Sequence, residues 1–269
     1  MTQVDMLKWF IPWEPSVTVI AVSVCSAALY IRGCARCRQH FIPKIFFWLG
    51  LISLYIVSQT DFDYYAEHEF FMHRIQHVVL HHLGPFLIAL GRPGTALAAG
   101  MPAAWRRCAE KLLRSPPVQI LTGFMNNPVI AVLLFIGLIV FWLIPPIHFI
   151  AMLDWRLYRL MNWGMAINGL MFWNLVLNNY AVRPANLSPA CRIAMMLAVI
   201  PPQIVIGALL FFTPYELYPI YSLCGRAFGM SALADQQLGG LILWIPAAMM
   251  SVIGVLMVMG KEWMSRKPT

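Results

Sequence analysis

Long stretches of this chain carry almost no charge, and the polar residues gather between them. The apolar runs cover residues 16–31, 42–58, 68–90, 128–146, 157–177, 193–212 and 233–259. A helix of about 20 apolar residues spans the hydrocarbon of a bilayer. Inside lipid the backbone finds no water, so each run is expected to satisfy its own hydrogen bonds as a helix. Pro145, Pro146, Pro201, Pro202 and Pro246 lie within or at the ends of these runs, where they are expected to kink them. The pattern predicts an all-α, polytopic membrane helical bundle of seven transmembrane helices, forming a single integral-membrane domain over residues 1–269. No repeat of fixed period interrupts it. The longest connection, residues 91–127, is basic, and Trp105 to Leu113 within it reads equally well as a helix on the membrane surface or a plain loop.

Composition sharpens this picture. Hydrophobic residues make up 60% of the chain and charged residues 11%, and the mean hydropathy is +0.70. Soluble domains run at about 45–50% apolar and about 25% charged. A soluble enzyme, a nucleic-acid-binding domain, a disordered protein and a secreted disulfide scaffold are thereby excluded. The net charge of +8 is unevenly spread. Arg32, Arg36, Arg38, Lys44, Arg92, Arg106, Arg107, Lys111, Arg114, Arg183, Arg192, Lys261, Arg266 and Lys267 fall on one side of the predicted spans. Only Lys8, Arg156, Arg159 and Arg226 fall on the other. The basic side is cytoplasmic by the positive-inside rule, which predicts the N-terminus outside and the C-terminus inside. Nine of the eleven acids lie outside or at the outer rim, in agreement. The first fifteen residues lack the features of a cleaved signal, so the first run is expected to be a retained span.

The candidate chemistry lies in the third run. Five of the seven histidines fall between residues 68 and 82. His73, His77 and His81 recur every four residues, and each such step turns a helix by only about 40° and rises about 6 Å. The spacing predicts one stripe of imidazoles, with His73 and His77 able to face a common ion and His81 a turn deeper. His82 is expected to point roughly opposite His73. His68 lies at the outer mouth between Glu67 and Glu69. Ionisable groups in a membrane face the bundle interior and mark a site or pathway. That leaves a metal, haem or proton site, or a structural polar network. Other potential ligands cluster at the same outer level: His148, Met72, Met152, Met161, Met165 and Asp235. Imidazole with thioether suits copper, and imidazole alone also suits zinc or iron.

Several alternatives are weighed on residues. Haem would pair His73 or His77 with His148. A copper or proton transporter would use His81 and His82 as an inward extension of the track. The seventh run has no lysine before Lys261, past its inner end, for a retinal Schiff base, and Arg74 stands where an HExxH hydrolase would carry glutamate. Cys34 and Cys37 form a lone CxxC, a weak signal. Cys224 is the one cysteine clearly outside, so no structural disulfide is expected there.

Four stretches resemble the multi-spanning CtaG family of cytochrome c oxidase assembly factors. They are Trp13-Glu14-Pro15 with Tyr30-Ile31-Arg32-Gly33; Met72-His73-Arg74-Ile75-Gln76-His77 through Leu90-Gly91-Arg92-Pro93; Trp142 to Pro146 with Gly169 to Trp173; and Asp235 to Leu241 with Trp244-Ile245-Pro246. The resemblance implies a multi-pass protein of the bacterial cytoplasmic (inner) membrane that helps mature a haem–copper oxidase, with copper insertion as the step served. It implies oxidase subunits and a periplasmic copper chaperone as partners, beside the lipid bilayer and without nucleic acid, and a carrier and not an enzyme. The metal would be held by His73 and His77 and completed by His148, with Met72 or His81 assisting, His68 at the mouth and Asp235 steering cations in. Neutral imidazole is the ligating form, so affinity is expected to fall as pH drops through about 6.5. The family pattern also implies histidines at the start of span five, where this chain carries Tyr158 and Asn162.

Overall fold

A computed structural model describes residues 14–177 and 187–265, and every regular element among them is helical. The elements are α1 (Val17–Cys34), α2 (Phe41–Gln59), α3 (Asp61–His68), α4 (Phe70–Val78), a π-helical turn (Val79–Leu83), α5 (Gly84–Gly91), α6 (Gly94–Gly100), α7 (Ala103–Leu113), α8 (Pro116–Met125), α9 (Pro128–Leu143), α10 (Pro145–Leu153), α11 (Trp155–Leu177), α12 (Pro189–Phe212), α13 (Ile220–Cys224) and α14 (Ala232–Ser265). Four of them, α1, α2, α12 and α14, are long and apolar enough to cross a membrane. A fifth arises if α8 and α9, bent by 75° at their junction, count as one span. The fold is all-α and consistent with a polytopic membrane bundle.

Two predicted runs are not single regular helices. The third leaves helical geometry at Glu69 (φ −138°, ψ 129°) and restarts at Phe70. The fourth stops at Leu143, because Ile144 precedes Pro145 and a residue before proline is pushed out of the α region; Ile144 sits at φ −61°, ψ 118°. By contrast Pro201, Pro202 and Pro246 lie inside continuous helices. The stretch Trp105 to Leu113 is helical as α7, and it buries no residue against the rest of the protein.

The rod formed by α4, the π turn and α5 lies at the centre, packed by α2, α11 and α14. Glycines set how closely these helices approach, as expected where packing and not water drives association. A Cβ on Gly207 of α12 would lie 2.7 Å from the Gly240 carbonyl of α14, and one on Gly240 equally close to Gly207. Gly239 leaves room for the Phe70 ring, and Gly169 of α11 rests on the His81 carbonyl.

That carbonyl explains the π turn. Pro85 has no N–H, so His81 loses the donor that residue i+4 normally supplies. The Gly84 amide instead reaches back to the Val79 carbonyl, one residue further than in an α-helix. The Trp173 indole N–H donates to the His81 carbonyl at 3.2 Å. A buried carbonyl is thus satisfied from a neighbouring helix.

Candidate functional site

The N-terminal end of the central rod is fixed from a distance. Glu69 does not cap α4 with its own side chain. The Asp235 carboxylate, from the first turn of α14, accepts from the Phe70 amide at 3.0 Å and the Phe71 amide at 2.7 Å. A carboxylate suits a helix N-terminus, where free N–H groups and the positive dipole end coincide. Arg226 then joins Asp235 (2.6 Å), Glu69 (3.1 Å) and Glu216 (3.5 Å). The Phe228 amide donates to Glu69 at 2.8 Å. Together these contacts set the rotation and height of α4, and so the direction of its histidines.

One turn below, the rings of His73 and His77 lie with centroids 4.3 Å apart. Both side chains are buried, and none of their four ring nitrogens has a hydrogen-bond partner of good geometry, although the Ala66 backbone approaches His73 and the Asn162 side chain approaches His77. Buried polar atoms are nearly always paired, so this cluster departs from the usual pattern. His148 of α10 touches His73 edge to face at 5.2 Å. Its Nδ1 lies 3.0 Å from the Trp142 carbonyl and its Nε2 2.8 Å from the Tyr221 hydroxyl. A carbonyl only accepts, so Nδ1 carries the proton and Nε2 accepts from Tyr221.

On the opposite wall stands a polar network. Gln76 Nε2 donates to Asp63 Oδ1 (2.6 Å) and to the Val57 carbonyl (2.7 Å). The Tyr158 hydroxyl lies 2.8 Å from Asp63 Oδ1 and 3.1 Å from Gln76 Oε1. A cleft of about 300 Å³ between α1, α2 and α11 reaches Tyr158 and Asn162, and Glu14, Asp63 and Glu67 line it. These acids precede α1 or lie on the short helix α3, outside the long apolar helices. Burial pushes the Asp63 carboxyl up to about 6, against the hydrogen bonds from Tyr158 and Gln76 that favour its charge. Burial, with Asp63 and Glu14 nearby, pushes Glu67 up to about 8.

The family described as cytochrome c oxidase caa3 assembly factor (Caa3_CtaG) matches residues 28–266. The chain belongs to this family. It is 26% identical over 280 residues to the uncharacterized protein ML1998 of Mycobacterium leprae, covering 96% of this chain and 40% of that protein. It is 24% identical over 274 residues to the uncharacterized proteins Mb0105 of Mycobacterium bovis and MT0111 of Mycobacterium tuberculosis, covering 93% of this chain and 39% of each. The chain therefore spans about two fifths of the length of the curated relatives it matches. No solved structure matches it.

Against this Caa3_CtaG background the candidate residues sort cleanly. His73 and His77 meet, with His148 packed on them. His81 does not join the stripe. The π turn inserts a residue and rotates the helix beyond it, so the His81 ring stacks on Phe135 at 4.0 Å and its Nε2 lies 2.9 Å from Asn168 Oδ1. His82 packs beside His81, their rings 5.1 Å apart, and its Nε2 lies 3.3 Å from Gln203 Nε2. His68 bonds the Tyr64 carbonyl at 2.7 Å, at the end of α3. Met72 is buried, a third of a turn round the helix from His73. Asp235 caps α4 and pairs with Arg226, so it is not aimed at the histidines. Among the described residues no group of three or more His, Cys, Asp or Glu side chains is arranged to hold a metal. The two positions where the resemblance implies histidines do reach the pair: the Tyr158 ring lies 5.9 Å from His73, and Asn162 lies beside His77 with its carbonyl oxygen unpartnered. Residues missed by spacing alone are Tyr221, Asp63 and Asn162. The signal for Asp63 was present, as an acid at the edge of an apolar run.

Proposed function

We propose that this Caa3_CtaG chain is a seven-helix membrane bundle, N-terminus outside and C-terminus inside, that carries copper for a haem–copper cytochrome c oxidase. It works in the bacterial cytoplasmic membrane, takes copper from a periplasmic donor and gives it to oxidase subunits, without catalysing a reaction itself. The observation that carries this reading is the pair His73 and His77, buried together with none of their four ring nitrogens in a hydrogen bond of good geometry. Neutral imidazoles suit copper, and two of them hold it weakly enough to let it go. Two acids of the lateral cleft, Glu14 and Asp63, take the cation-steering role expected of Asp235. Tyr158 and Asn162 lie between that cleft and the pair. His148 acts as a wall and joins as a ligand only when Tyr221 swings off its Nε2. The rings of His73 and His148 touch with no gap the width of a porphyrin between them, which favours a bare ion over haem.

Two spans of the bundle are the central rod and α11. Their polar residues face the interior, which lowers their hydropathy without removing them from the membrane. The test is copper stoichiometry of detergent-purified protein, with an optical spectrum for haem. The wild type is expected to retain copper, and His73→Ala and His77→Ala to lose most of it. Equal copper in all three, or a Soret band, ends this reading.

A further inference from the structure

Arg74 stands beside the histidine pair as a buried cation without a counter-ion. Its side chain is 2% exposed, and its Nε and Nη2 have no hydrogen-bond partner. The Phe70 ring lies 4.9 Å from the guanidinium carbon and offers it only a π face. The titratable groups that face Arg74 are Tyr158, Tyr218 and Tyr221, with His73, His77 and His148. None of these is negative at neutral pH. The carboxylates of this end are engaged elsewhere: Asp235 on the α4 amides and Arg226, Asp63 on Gln76 and Tyr158. Among the described residues no carboxylate forms an ion pair with Arg74.

A guanidinium keeps its proton at any accessible pH, and a buried charge without a partner is costly. The unpartnered guanidinium therefore favours a negative guest, and the imidazoles favour a soft metal. A bare cuprous ion meets only the second demand, and it adds a second positive charge beside the guanidinium. A cuprous ion that arrives with one anion leaves the charge of the pocket unchanged and gives Nε and Nη2 an acceptor. The anion must be small, monovalent and polarisable, and itself a ligand of copper, which describes a halide or a thiolate.

We infer that His73, His77 and Arg74 form one composite site, in which the imidazoles take cuprous copper and the guanidinium takes the anion bound to it. This rests on the copper reading and adds the chemistry of the co-ligand. In a carrier it offers a hand-over route, because a cysteine thiolate of the donor or acceptor fills the anion position while copper passes.

The experiment uses the full chain in detergent, loaded anaerobically with cuprous ion in bromide buffer, washed, and studied by X-ray absorption at the copper edge. The wild type is expected to show imidazole nitrogens and one bromine around copper. Arg74→Met is expected to keep the imidazoles and lose the bromine, and Arg74→Lys to fold with the charge in place and retain it. Competition with a chromophoric chelator reads the same coupling. Replacing bromide by methanesulfonate should weaken copper binding about tenfold or more in the wild type and by less than about threefold in Arg74→Met. The same buffers are used for both proteins, so bromide's own hold on free copper cancels. A small thiol in place of bromide, giving a sulfur scatterer, separates the thiolate source from the halide. Copper on imidazoles with neither bromine nor sulfur, and with no anion effect, overturns the composite site and leaves the copper reading standing. No copper at any condition overturns both.

Discussion

Asn162 sits beside His77 where the family likeness implies an imidazole. Restoring that ring tests whether the pocket is a metal site by adding to it. Asn162→His is expected to tighten cuprous binding about tenfold or more, since a third imidazole completes a trigonal set; an unchanged or weaker affinity by chelator competition argues against the pair as ligands. Glu67 carries a different prediction. Its folded carboxyl titrates near 8, above its unfolded value, and Asp63 near 6 does likewise. A group raised in this way binds its proton more tightly in the folded state. Its contribution is present below the unfolded value and is lost as pH rises through the folded one. The contribution of these two carboxyls to stability in detergent is therefore expected to fall between about pH 5 and about pH 8, by at most about 1.4 kcal/mol per pH unit for one proton, read as the difference between the wild type and Glu67→Gln. Glu67→Gln should flatten the upper part of that slope. At this scale His73 and His77 were legible from spacing, because one helical step joins them. Asp235 was not. Whether a carboxylate steers ions or caps a helix depends on which backbone end it meets, and that end is 165 residues away in sequence.

The π turn is the element that sequence periodicity could not supply. A four-residue repeat predicts three aligned rings, but Pro85 denies His81 its usual donor and Trp173 replaces it across a helix interface. The register changes between His77 and His81, and the deeper histidines turn to Phe135, Asn168 and Gln203 instead of the pair. The Pro85 signal was in view; the partner that makes the turn possible lies on another helix. Trp173→Phe should leave the His81 carbonyl buried without a partner, at a cost of about 1–3 kcal/mol, read as a lower melting temperature. In a Pro85→Ala background residue 85 can donate to that carbonyl, so the same change should cost less. Equal losses in both backgrounds would show that the indole acts through packing alone.

On the scale of the whole molecule, the apolar runs located the helices well, and the charge pattern alone assigns the faces. Four of the predicted seven runs are helices long and apolar enough to cross a membrane, a fifth counts only if α8 and α9 form one span, and the third and fourth runs are interrupted at Glu69 and Ile144. The inner connection offers a check on orientation. α7 presents Arg106, Arg107 and Lys111, and Arg114 follows it. Trypsin is expected to cut this connection in inside-out vesicles and to spare it in right-side-out vesicles; cleavage within this connection from the outer side reverses the assigned topology. Neither α7 nor α8 buries a residue against the bundle, so a nick there severs no internal contact. The N-terminal fragment keeps the imidazole pair and Arg74, while the C-terminal fragment keeps His148, Tyr158 and Asn162. They stay joined through the packing of the central rod on α11 and α14. The surroundings of the imidazole pair are thus a seam between two halves of one polypeptide, and supplying those halves as separate genes should rebuild it.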